Sequence, residues 1–158
     1  MYAELQNPPG KAHVELYAEI LRQMEHADQA GFDVYSIIEH HFFPEFSISA
    51  NPLAMIAAAA QRTHRIRFRV ALHTLPLCNP MRLAGEIAAA DILTNGRLET
   101  GLGRGHAWLF ERSGVDLAES RDRFNEAVEI LIRAWTEDSF DYAGKYYRFK
   151  NLSVVPKP

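Results

Sequence analysis

Only one cysteine, Cys78, stands in a chain of 158 residues. No internal disulfide can form, so the fold must be held by packing rather than by cross-links. Charge of either sign is also scarce in clusters. The 17 Lys and Arg residues nearly cancel the 20 Asp and Glu, leaving a formal net charge of −3, and no run of like charge is long enough to bind nucleic acid or an anionic lipid surface. Long hydrophobic runs are missing as well. The longest, Pro52 to Ala60, is Ala-rich and falls far short of the roughly 20 residues a membrane-spanning helix needs. The N-terminus lacks the basic segment and apolar stretch of a secretory signal. These absences predict a cytoplasmic protein with neither nucleic acid nor membrane as partner.

What is present suffices for a packed core: 47% hydrophobic and 11% aromatic residues, with 23% charged, the balance of one ordinary globular domain or part of one. From Val14 to Ala30, Leu16, Tyr17, Ile20, Leu21, Met24 and Ala27 recur at helical spacing, and Gly31 follows as a C-terminal stop. Asp33 to Glu39 reads as a short strand buried on both faces. Asn51-Pro52 supplies a cap and a first-turn proline for a helix running to about Arg62. The pattern then repeats, with a strand through Ile66, Phe68, Val70 and Leu72, a helix opened by Asn79-Pro80 and closed by Asn95-Gly96, and a strand from Arg97 to Leu102. A glycine-rich turn and loop lead to a helix from about Leu117, with Phe124, Val128, Leu131 and Trp135 on one stripe. Asp141 to Lys145 reads as a turn between short extended pieces, Tyr146 to Phe149 and Leu152 to Val155. Met1 to Leu5 is all that is available for a strand before the first helix. Such alternation predicts an α/β fold with a parallel sheet, either open or closed into a barrel.

In folds of this kind ligands bind beyond the C-terminal ends of the strands. Three such places carry histidine: Glu39-His40-His41, His73-Thr74 and Arg104-Gly105-His106. Any one of them could be a packing or surface residue, but the shared location favours function. A metal site is the weaker reading, because adjacent residues on an extended strand point to opposite faces and His40 and His41 could not both ligate one ion without a bend. Gly101-Leu102-Gly103-Arg104-Gly105 allows close backbone approach and an arginine that could pair with a phosphate. Its spacing matches neither the dinucleotide fingerprint nor the P-loop.

Taken in order, these segments resemble the luciferase-like monooxygenase family. The resemblance rests on Ala30-Gly31-Phe32-Asp33, Glu39-His40-His41-Phe42 with Glu45-Phe46, Asn51-Pro52, Leu75-Pro76, Asn79-Pro80, Asp91-Ile92-Leu93, Gly96-Arg97-Leu98, Gly103-Arg104-Gly105, Gly114-Val115-Asp116, Glu119-Ser120-Arg121 and Pro156-Lys157-Pro158. It implies that residues 1–158 are the N-terminal half of a TIM-like (β/α)₈ barrel, cut after about four units, with the first strand mostly absent and the C-terminal half missing. The implied chemistry is flavin-dependent monooxygenation, with reduced FMN and O₂ as co-substrate oxygenating a small molecule such as an aldehyde. A separate NAD(P)H-dependent flavin reductase and a homo- or heterodimer are the implied partners.

Residue by residue, the resemblance makes His40 the active-site histidine, Arg104 and Arg121 the holders of the flavin phosphate, and Ala71-Leu72 the site of a nonprolyl cis peptide near the flavin ring. Gly103 stands where light-emitting members carry a reactive cysteine, which argues against equating the chain with a luciferase proper. A deazaflavin-dependent oxidoreductase and a noncatalytic flavin-binding subunit are the alternatives. A barrel so cut would expose an edge strand and apolar faces, so the isolated fragment is expected to be inactive and to aggregate or dimerise.

Overall fold

A computed structural model describes residues 1–158. Its elements follow as β1 (Tyr2–Ala3), α1 (His13–Gln29), β2 (Val34–Ile37), α2 (Pro52–Ala60), β3 (Arg67–Thr74), α3 (Pro80–Leu93), β4 (Leu98–Gly103), α4 (Ala107–Ser113), α5 (Ser120–Thr136), β5 (Phe140–Ala143) and β6 (Arg148–Leu152). The first four strands form one sheet in sequence order. β1 pairs with β2 and β2 with β3 in parallel, Tyr2 lying opposite Ser36 and Val34 opposite Arg67. Strands joined through helices and ordered 1-2-3-4 form a partial (β/α) barrel of about four units, as the sequence pattern anticipated. β5 and β6 make a separate antiparallel hairpin. No helix is long and apolar enough to cross a membrane.

Two compact units are distinguished, Met1–His73 with Ala90–Gly101, and Thr74–Ala89 with Leu102–Pro158. In the first, α1 buries Leu16, Ile20, Met24 and Ala27, one stripe at spacings of three and four. Phe68 and Val70 on β3 are fully buried and alternate with exposed Arg67 and Arg69, whose guanidiniums share Glu99 on β4 at 2.8 and 2.6 Å. Just before β3 and β4, at the N-terminal ends of these strands, polar side chains satisfy backbone groups outside the ladder. Asp28 accepts backbone N–H bonds from His64, Arg65 and Ile66, and Arg97 donates to the carbonyls of Ala60, Ile66 and Thr94. Gly101 is required by close approach, since a Cβ there would stand 2.6 Å from the Val70 carbonyl oxygen. Asn51 caps α2 by accepting from Ala54 N at 3.1 Å, with Pro52 in the first turn.

In the second unit, α5 buries Ala127, Ile130, Leu131 and Ala134, and the Trp135 indole donates to the Ala84 carbonyl at 3.1 Å. Glu126 accepts from the backbone N–H groups of Lys145, Tyr146 and Tyr147, fixing the hairpin turn.

Two local expectations are corrected. The segment after β4, read as loop, contains α4. Its seven residues are too few for a helical period to emerge, and only Leu109 and Phe110 are buried. The sequence did hold a stop signal, Gly114, whose φ of 73° ends the helix. The hairpin is also displaced: Asp141 and Tyr142 belong to β5, and the turn closes at Gly144, whose N–H bonds to the Tyr147 carbonyl at 2.9 Å. Burial of Phe140 and Leu152 opposite one another sets that register and outweighs the turn character of Asp141.

Candidate functional site

β2 ends at Ile37, and the chain then runs through Ile38, Glu39 and His40 without leaving the interior. The Glu39 side chain is 6% exposed, and its two carboxylate oxygens are taken by two histidines. Oε1 accepts from His41 Nε2 at 3.0 Å and Oε2 from His73 Nδ1 at 2.5 Å. Burial pushes the Glu39 carboxyl up, but the hydrogen bonds from His41 and His73 win and hold it down at about 2. An ionised carboxylate can only accept, so both ring nitrogens facing it carry hydrogen. His73, on β3, is 1% exposed, and its other nitrogen, Nε2, is buried without a hydrogen-bond partner. His41 is 28% exposed.

His40, the sequence-predicted catalytic residue, is buried. Its backbone N–H bonds to the Ser49 carbonyl at 2.9 Å and its ring packs on Phe46 with centroids 4.5 Å apart. Both His40 and His41 line a groove of about 420 Å³ that includes Phe43, Pro44, Ser47 and Ile48. Adjacent residues on an extended strand would face opposite ways, yet here both histidines border the same groove. The chain leaves regular β geometry after Ile37, so strict alternation of faces no longer applies. Ile37 lies opposite Val70 in register, which places His40 and the pair Ala71-Leu72 toward the same, C-terminal end of these two inner strands. The Ala71–Leu72 peptide is cis, as the resemblance implied.

The remaining predicted residues lie in the second unit. Gly103 ends β4 and Arg104 follows it, exposed, with a guanidinium nitrogen 3.5 Å from Ser120 Oγ. Ser120 is the first residue of α5 and Arg121 the second, also exposed. The acids in that turn are already engaged, Glu119 by Arg123 at 2.8 Å and Asp122 by Lys145 at 3.7 Å. Neither Glu111 nor Asp122 forms a surface pair with Arg104. A short 3₁₀ turn, Leu117–Glu119, leads into α5 and takes the Ser120 N–H on the Leu117 carbonyl, so what this place offers a phosphate is the two exposed guanidiniums. Gly105, at φ 78°, is needed here, because a Cβ would stand 2.5 Å from Thr74 Cγ2. His106 instead occupies the position before the short α4, without a side-chain capping bond, and its ring stacks on Trp108 at 5.4 Å.

Sequence reasoning noted His73 and Glu39 separately and missed their pairing. They are 34 residues apart, and only the β2–β3 register joins them.

Comparison with known proteins gives a consistent picture. Residues 3–158 match the luciferase-like monooxygenase family. The chain is 31% identical over 147 residues to the oxygenase component of flavin-dependent trigonelline monooxygenase from Acinetobacter baylyi, covering 91% of this chain and 40% of that protein. It is 30% identical over 148 residues to an F420-dependent glucose-6-phosphate dehydrogenase from Segniliparus rotundus, covering 89% and 44%. Among solved structures, the monooxygenase RslO1 from Streptomyces bottropensis superposes with a TM-score of 0.91 at 32% identity, covering 99% of this chain and 49% of that one. The oxygenating constituent of 3,6-diketocamphane monooxygenase from Pseudomonas putida, in complex with FMN, gives 0.87 at 27% identity, covering 94% and 42%. The chain thus spans less than half the length of the curated relatives it matches.

Proposed function

The chain belongs to the luciferase-like monooxygenase family, and from that premise we propose that it is part of a flavin-dependent monooxygenase that uses reduced FMN and O₂ to oxygenate a small organic substrate such as an aldehyde. The observation that carries the choice of FMN is the likeness to an FMN-bound oxygenating constituent at a TM-score of 0.87 and 27% identity. The residues fit such a group: Arg104, just past β4 and bonded only to the neutral Ser120 hydroxyl, and Arg121, in the first turn of α5, are exposed cations with no carboxylate partner, and Gly105 keeps the adjoining turn free of a side chain. They would hold the phosphate. When bound, the flavin supplies the electrons that activate O₂. The protein's part is to bind, orient and manage protons. His40, buried beyond the C-terminal end of β2 beside the groove, is assigned as the group that gives or takes a proton in turnover. A relative described as an oxygenase component supports a separate reductase as the source of reduced flavin.

Oxygen uptake with chemically reduced FMN and a panel of aldehydes tests this reading. Substrate-dependent product formation supports it, and uptake that no substrate couples to product counts against it. The 30% identity to an F420-dependent glucose-6-phosphate dehydrogenase over 89% of the chain supports a second reading, a deazaflavin-dependent hydride transfer without oxygen. Tight binding of the deazaflavin with anaerobic turnover would favour that one. His40→Ala is expected to lower turnover by about 10²- to 10⁴-fold with FMN affinity nearly intact.

A further inference from the structure

We propose that His73 is a positioning residue: through Glu39 it locks the His41 imidazole as its Nε2–H tautomer and leaves Nδ1 as a proton acceptor for a ligand in the adjoining groove that carries an O–H or N–H donor. The chain His73–Glu39–His41 runs from the interior to the groove wall, with side-chain exposures of 1%, 6% and 28%. Its inner end is fixed, because His73 sits within β3 between Leu72 and Thr74 and its Nδ1 holds Oε2 at 2.5 Å. That bond sets the plane of the carboxylate. Oε1 is then aimed at His41 Nε2, 3.0 Å away, and a ring anchored on one nitrogen presents the other outward. This is the logic of a base oriented by a third group.

Packing alone does not account for the arrangement. His73 Nε2 is buried with no hydrogen-bond partner, a cost that an apolar side chain of similar size would avoid. The nitrogen that does bond is the one that faces Glu39. A histidine retained at such a cost, and tied to a second histidine at an opening, is explained by what it does for that second ring. Proton acceptance in turnover rests on the monooxygenase reading above, whereas the tautomer lock does not.

The test is long-range ¹H–¹⁵N spectroscopy of the histidine rings in the flavin-free protein, so that failure of FMN binding leaves it unaffected. The expected result is His41 wholly as Nε2–H and His73 as Nδ1–H with a far-downfield, slowly exchanging proton. His73→Leu should turn His41 into a tautomer mixture. His73→Asn, whose amide nitrogen falls where the imidazole Nδ1 was, should restore the single form. Should His73→Leu not fold, Glu39→Gln decides instead. A primary amide has one acceptor oxygen and cannot accept from both rings, so one ring must invert its tautomer. A mixed His41 in the unaltered protein, a pure Nε2–H form in folded His73→Leu, or unchanged tautomers of both rings in Glu39→Gln would overturn the proposal.

Discussion

The two units of this chain prepare for chemistry in opposite ways. In the first, the functional candidates are buried and already bonded to one another: Glu39 spends both oxygens on histidines, and His40 is packed against Phe46. In the second, Arg104 after β4 and Arg121 in the first turn of α5 stand exposed. The contrast follows from the groups concerned. Proton-handling side chains gain from burial because fixed partners decide their tautomer and charge, and the protein must satisfy them internally. A guanidinium meant for a diffusible anion gains from remaining uncommitted, since any internal carboxylate would compete with the ligand.

The contrast breaks most sharply at Glu39. Glu39→Ala leaves His73 buried without its acceptor, and the expected loss is about 3–5 kcal/mol, read by denaturant unfolding. The pH dependence has a definite sign. A carboxyl held at about 2 when folded, against an ordinary 4.5, contributes stability that is fully present above pH 4.5 and is lost as pH falls towards 2. Acid unfolding over that window should flatten in the variant, and an unchanged profile would contradict an ionised, doubly bonded Glu39. Next in size is Gly101→Ala, where the new methyl meets the Val70 carbonyl, with an expected cost of about 1–3 kcal/mol in the thermal or denaturant midpoint.

Most of the fold was legible because repetition is a local signal: the stripe on α1, the Asn51-Pro52 cap and the alternation along β3 each lie within one element. The site was legible only in part. His40 and Arg104 could be found as residues just past strand ends. The bond between Glu39 and His73 could not, because it depends on the register of β2 against β3. Nor could α4, whose seven residues give too little periodicity.

The smallest expected effect serves as the control on the exposed side. Arg82 pairs with Glu86 one helical turn away at 2.7 Å, but its side chain is 78% exposed. Arg82→Ala should shift neither midpoint nor ligand affinity measurably. A clear loss would mean that exposed cations in the second unit do structural work, and Arg104 would lose its distinction.

The separation of roles is tested most directly by titrating FMN and riboflavin in parallel against Arg104→Ala. Only FMN carries the phosphate, and a lost charge-assisted bond is worth about 1.5–3 kcal/mol. The account therefore predicts that FMN affinity falls by about ten- to a hundredfold while riboflavin affinity is unchanged. Equal losses for the two ligands, or none for either, would contradict it.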